Sequence, residues 1–244
     1  MIRKNLLLLA FVSIVGWMQA QDAENKAYIY TTNMKINGQD MAFDVVRSYE
    51  TEDGNLIITD KTATPFGNSE NISVVDAEDF RTISQSSTGF MTTNFDFTED
   101  KIVGESADFR GNKTPVNLET EGVVYGGGSA MEMYLKNLPL EVGYETTIST
   151  FNPFNPFEMN VVEMQLEVTE DENVEVPAGN FEVFRLDLTV EDKEDFQQSI
   201  WMTADEPHMM VKSVMSGQQF GEITTVYAGT KEKKEKKKKK KGKN

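Results

Sequence analysis

The 244-residue chain has no cysteine and one histidine, which excludes disulfides, thiol catalysis, thiolate metal sites and a histidine-rich zinc or iron centre. An apolar fraction of 39% with 10% aromatic residues excludes wholesale disorder and suits one large β domain or two small ones. The net charge of −16, from 24 basic and 40 acidic residues, is unevenly placed: residues 231–244 hold ten lysines and two glutamates, residues 1–20 hold only Arg3 and Lys4, and the remaining 12 basic and 38 acidic side chains give residues 21–230 a net −26, too acidic to bind nucleic acid or an anionic membrane through the body.

Taken in chain order, residues 1–20 predict a secretory signal. Arg3 and Lys4 form its basic region, "LLLLAFVSIV" over residues 6–15 is an apolar run too short to span a bilayer, and Ala20 is a small residue at the cleavage edge. With no cysteine behind it, a lipid anchor is excluded, and no later run predicts a transmembrane segment. From about residue 26 to 120 the pattern alternates with period 2. Met41, Phe43 and Val45 share one strand face, as do Met91, Thr93, Phe95 and Phe97. Asn37-Gly38, Asp53-Gly54 and Gly111-Asn112 mark hairpin turns. Strands recur about every ten residues, which predicts an antiparallel meander.

One helix is predicted over residues 129–138. Ser129 and Glu132 have capping-box spacing, Met131, Tyr134, Leu135 and Leu138 share a face, and Pro139 stops the helix. Alternation returns in Met164, Leu166 and Val168, then in Leu186 and Leu188, and continues to Tyr227. "VEVPAGNFEVFRL", residues 174–186, reads as strand, corner, strand: Pro177 presets φ and Gly179 supplies a positive one. The expected fold is mainly β, a single strongly curved antiparallel sheet or half-open barrel with one or two short helices. The expected division is a signal peptide at 1–20, a β-rich domain at 21–230 and a disordered lysine-rich tail at 231–244.

Catalytic motifs are absent from the sequence. His208, between Pro207 and Met209, reads as a turn residue with no serine or cysteine motif near it. The glycines at 126–128 lack the Lys-Ser/Thr of a phosphate loop. Asp171-Glu172-Asn173 and the acidic run at 191–195 lack the spacing and central glycine of a calcium loop. No cofactor or metal is expected, and the expectation is a protein that is not an enzyme. A hydrolase built on carboxylates scattered in the sequence ranks last.

Three stretches carry a resemblance. "VEVPAGNFEVFRL" resembles the signature of secreted bacterial domain-of-unknown-function family 3108: a valine-rich strand, P-A-G, an aromatic residue and an R-L strand. "SAMEMYLKNLPLEVG" from Ser129 resembles the short helix of that family, and "IWMTADEPHMMVKSV" from Ile200 its closing hairpin, although the turn at Glu206-Pro207-His208 lacks the usual basic residue. Together they cover roughly residues 30–228. The resemblance implies an exported protein, periplasmic or extracellular in a Gram-negative bacterium. It also implies a fold similar to the lipoprotein carriers, with a helix packed into or across the concave face of a curved sheet.

On that fold, Phe151, Phe154 and Phe157 are expected as an apolar rim, with Met131, Tyr134, Leu135, Met164 and Met202 lining a deformable cavity for a lipid or other hydrophobic molecule. The alternative is a structural or interaction protein of the cell envelope. In that reading Lys236, Lys237, Lys238, Lys239, Lys240 and Lys241 bind an anionic envelope polymer or lipopolysaccharide.

Overall fold

The computed structural model describes residues 26–36, 38–64, 67–89, 91–152, 159–190, 196–217 and 221–232. The signal segment, Phe154, Phe157, the acidic run at 191–195 and Lys236 to Lys241 lie outside the described residues. Fourteen strands are described: β1 (Lys26–Ile36), β2 (Gln39–Glu52), β3 (Asn55–Thr64), β4 (Gly67–Asp76), β5 (Thr82–Thr88), β6 (Thr92–Phe97), β7 (Lys101–Ala107), β8 (Lys113–Glu119), β9 (Glu145–Asn152), β10 (Asn160–Val176), β11 (Gly179–Val190), β12 (Gln197–Thr203), β13 (Met210–Gly217) and β14 (Gly221–Glu232). One helix, α1 (Ser129–Leu135), falls between β8 and β9. No helix among the described residues is long and apolar enough to cross a membrane.

All fourteen strands form one antiparallel sheet in the order β8-β7-β6-β5-β4-β3-β2-β1-β14-β13-β12-β11-β10-β9. Chain neighbours pair as hairpins, and the first and last strands pair at the sheet's centre. The two edges, β8 and β9, therefore come from the middle of the chain. Of the hairpin signals, Asn37 lies outside the described residues, and Gly111-Asn112 falls in the longer connection between Ala107 and Lys113. Asp53 and Gly54 both have positive φ, 51° and 81°, in a two-residue turn that pairs Glu52 with Asn55. At the P-A-G corner, Val176 pairs with Gly179 across Pro177 and Ala178, and Gly179 has φ 140°.

The sheet curls but does not close. Phe151 on edge strand β9 is fully buried, its ring 4.9 Å from that of Phe95 on β6 and 5.9 Å from that of Phe97. Ile102, Val116 and Val124 complete that cluster, so side chains from opposite ends of the sheet meet where no strand ladder joins them. Between the edges runs residues 120–144, a strap that carries α1. Its first part pairs with the β9 edge in parallel sense: the Tyr125 amide donates to the Ser149 carbonyl at 2.9 Å and the Phe151 amide to the Tyr125 carbonyl at 2.9 Å.

From there the strap turns inward. Six of the seven α1 residues, all but Tyr134, are buried. Met131 and Leu135 join the apolar cluster built by β1 and β10 to β14, while Ala130 and Met133 join Tyr49, Ile58 and Val75 from β2, β3 and β4. A seven-residue helix is too short to stand alone in water; its stability comes from packing on both halves of the sheet. The predicted boundaries are corrected in two respects. The helix ends at Leu135, not Leu138, and Gly128 is its N-cap with no side-chain cap bond. Ser129 and Glu132 have the spacing of a capping box, but the Ser129 hydroxyl lies 3.3 Å from that of Ser73, and Glu132 is drawn to a buried arginine.

Candidate functional site: a plug helix and the charges that seat it

The period-2 face of Met41, Phe43 and Val45 continues through Arg47 and Tyr49. Strand parity thus turns an arginine toward the interior, and its cross-strand partner on β3 is Asp60. The guanidinium grips Asp60 with two parallel bonds, Nε to Oδ1 at 2.7 Å and Nη2 to Oδ2 at 2.9 Å. The remaining nitrogen, Nη1, donates to Oε2 of Glu132 on α1. Glu132 is 4% exposed, and its other oxygen lies 3.3 Å from Lys136 Nζ, one helical turn on. Four charges of zero sum thus connect β2, β3 and the plug.

Tyrosines surround the quartet. The Arg47 guanidinium lies 5.0 Å from the centre of the Tyr30 ring, and Lys136 Nζ 5.5 Å from that of Tyr49. Tyr30 is 1% exposed, and its hydroxyl has no hydrogen-bond partner among the described residues. Burial pushes Tyr30 well above its ordinary pKa, and the Glu132 carboxylate adds to the rise. Burial alone would also raise Glu132, but the Arg47 and Lys136 charges outweigh it and hold the carboxyl below its usual range. Arg47, penalised by burial, is held charged by Glu132 and Asp60.

The strap's glycines have a local purpose. A Cβ on Gly126 would collide with the Gln85 amide, which itself donates to the Gly127 carbonyl at 2.9 Å and to Ser73 Oγ at 3.0 Å. The Gly126 amide donates to Thr82 Oγ1 at 2.8 Å. These contacts fasten the start of the helix to β5 and β4. No phosphate-loop geometry is needed to explain the glycines.

The expected lining residues are placed as follows. Met131, Leu135, Met164 and Met202 lie together, each 6% exposed or less, and the half-buried Tyr134 packs against them. Tyr134 stacks on Tyr125 with ring centres 4.0 Å apart, and burial pushes Tyr125 up to about 12. Phe151 is separate from that group: it sits in β9, not in a loop, within the cluster that bridges the two ends of the sheet. His208 Nδ1 donates to the Thr203 carbonyl, 2.7 Å away, within the β12–β13 turn. Among the described residues no group of three acidic, histidine or cysteine side chains could hold a metal ion.

Sequence reasoning passed over Arg47, Asp60 and Lys136, and read Glu132 only as part of a helix cap. A signal was present: Arg47 and Asp60 occupy positions where strand alternation calls for apolar residues, and Glu132 is the one charged residue in a helix otherwise made of apolar side chains and Ser129.

Comparison with known proteins agrees with this architecture. No curated protein matches the chain. Among solved structures, a β-barrel-like protein of domain of unknown function DUF1849 from Brucella abortus is similar over 86% of this chain and 98% of its own, at 10% identity and a TM-score of 0.56, which shows a shared fold. The hypothetical lipoprotein YmcC from Escherichia coli aligns over 82% of this chain and 86% of its own, at 12% identity and a TM-score of 0.39. The model of the family described as protein of unknown function (DUF3108) matches residues 17–227, and the chain belongs to that family.

Proposed function

We propose that this is an exported, non-enzymatic carrier that holds a hydrophobic chain, lipid or lipid-like, against the concave face of its sheet, in the place α1 takes in the structure described. One observation carries the reading. The interior is filled not by the sheet's own closure but by a short helix on a strap, anchored at both ends to strands and seated by a charged cluster. A plug of this kind occupies the volume that a hydrophobic chain would fill on its withdrawal. The buried lining of Met131, Leu135, Met164 and Met202 is soft and adapts to a new occupant. The leader-like residues 1–20 support export.

The test is native mass spectrometry of protein purified without detergent, before and after exposure to fatty-acid probes. The carrier reading expects either a co-purified mass of lipid size or uptake of one probe molecule per chain. A homogeneous unliganded mass that no probe shifts would reject it.

A further inference from the structure

Building on the carrier reading, we infer that Arg47 and Tyr30 form a head-group site for one class of ligand, an amphiphile with a single apolar chain and a carboxylate head. In this inference the Glu132 carboxylate is the site's internal stand-in.

The cluster divides cleanly. Arg47 and Asp60 both belong to the sheet and neutralise each other through two bonds. Glu132 and Lys136 both belong to the plug and neutralise each other across one turn, at 3.3 Å. The hydrogen bond that joins the halves is Arg47 Nη1 to Glu132 Oε2, beside the contact of Lys136 Nζ with the Tyr49 ring. Withdrawal of the plug therefore leaves a neutral pair on each side and no bare buried charge, the condition that usually makes an internal ion pair irreversible. What stays on the sheet is a pair of hydrogen-bond donors, Arg47 Nη1 and the Tyr30 hydroxyl, which has no partner even with the plug in place. Two donors beside a guanidinium select an anionic oxygen. A neutral head makes a weaker bond to Nη1, and a cationic head meets a like charge. A carboxylate repeats the bond that Glu132 makes to Nη1; it comes without Lys136, and the Tyr30 hydroxyl is the second donor offered to its charge. The chain behind it would lie where Met131 and Leu135 lie, against Leu166, Val168, Leu186 and Leu188.

The experiment is calorimetric titration of the purified protein with dodecanoate and with dodecan-1-ol, each below micelle formation, in the wild type, Glu132→Gln and Tyr30→Phe. The wild type should bind dodecanoate about tenfold or more tighter than the alcohol, the usual difference between a charged and a neutral hydrogen bond. Glu132→Gln weakens the stand-in and should tighten dodecanoate about tenfold. Tyr30→Phe should weaken dodecanoate about fivefold with the melting temperature unchanged or raised, because the lost hydroxyl had no partner. If Glu132→Gln does not fold, Tyr30→Phe decides alone. Equal binding of acid and alcohol, or a preference for the acid that neither variant alters, overturns the head-group assignment and leaves the carrier reading standing. Binding of neither ligand overturns both.

Discussion

Arg47 is the residue on which the interior most depends. Its side chain is 8% exposed and balances two acidic groups from different elements. Replacing it with methionine leaves Asp60 and Glu132 buried without their common partner and should cost about 3–5 kcal/mol in urea denaturation. Combining Arg47→Met with Asp60→Leu, Glu132→Gln and Lys136→Met should recover much of that loss, since a buried charge cluster replaced as a whole by well-packed neutral groups is close to neutral. The same residues set the pH window of stability. Glu132 is held below its ordinary pKa, so its contribution is complete above about pH 4.3 and is lost as pH falls through its lower folded value. Tyr30 and Tyr49 are raised above theirs, chiefly by burial, so the folded state loses stability as pH rises past about 10. Melting temperature against pH should be flat between those limits and fall on both sides; a flat profile through the acid limit would show that the Glu132 pairing contributes nothing. A steric prediction belongs to Gly104 in β7, where a Cβ would overlap the backbone carbonyl of Asn94 on β6. Gly104→Ala should part those strands and lower the melting temperature well beyond the few degrees of an ordinary surface change.

Among the elements, the strands were the most readable in sequence and the plug's role the least. Alternation such as Met164, Leu166 and Val168 fixes both the strand and its inward face, because a period of two admits one arrangement when one side is buried. Two-residue turns were equally plain, since Asp53-Gly54 needs two positive φ values that few other pairs supply. The helix was visible from its apolar spacing, but its cap was misread. Ser129 and Glu132 satisfy a local rule, and only the approach of β2 and β4 shows that both side chains bond across space instead. Long-range partners leave no mark on a short stretch of sequence, which is also why the quartet went unseen. Leu135 gives a direct test of how much the plug contributes. It is 0% exposed, and Leu135→Ala should cost about 2–5 kcal/mol by chemical denaturation. A loss under about 0.5 kcal/mol, the range of surface changes, would mean that the helix is not integral to the folded sheet.

The whole molecule is arranged so that its ends meet in the middle. β1 and β14 pair from Lys26 with Glu232 to Met34 with Ile223, at the centre of the sheet order. Shortening the chain to residue 220 would therefore remove a central strand, split the sheet into two groups with fresh unpaired edges, and abolish cooperative unfolding. Deleting residues 233–244, which follow the last residue of β14, should leave the melting temperature unchanged. Circular dichroism of both truncations checks the contrast.

That central pairing also sets the order of events during biosynthesis. Hairpins such as β2–β3 are local and can form as soon as their residues emerge, but no strand ladder links the two groups until the final dozen residues of the sheet arrive. The nascent polypeptide is thus denied its finished sheet until β14 is present, and assembly waits on that strand.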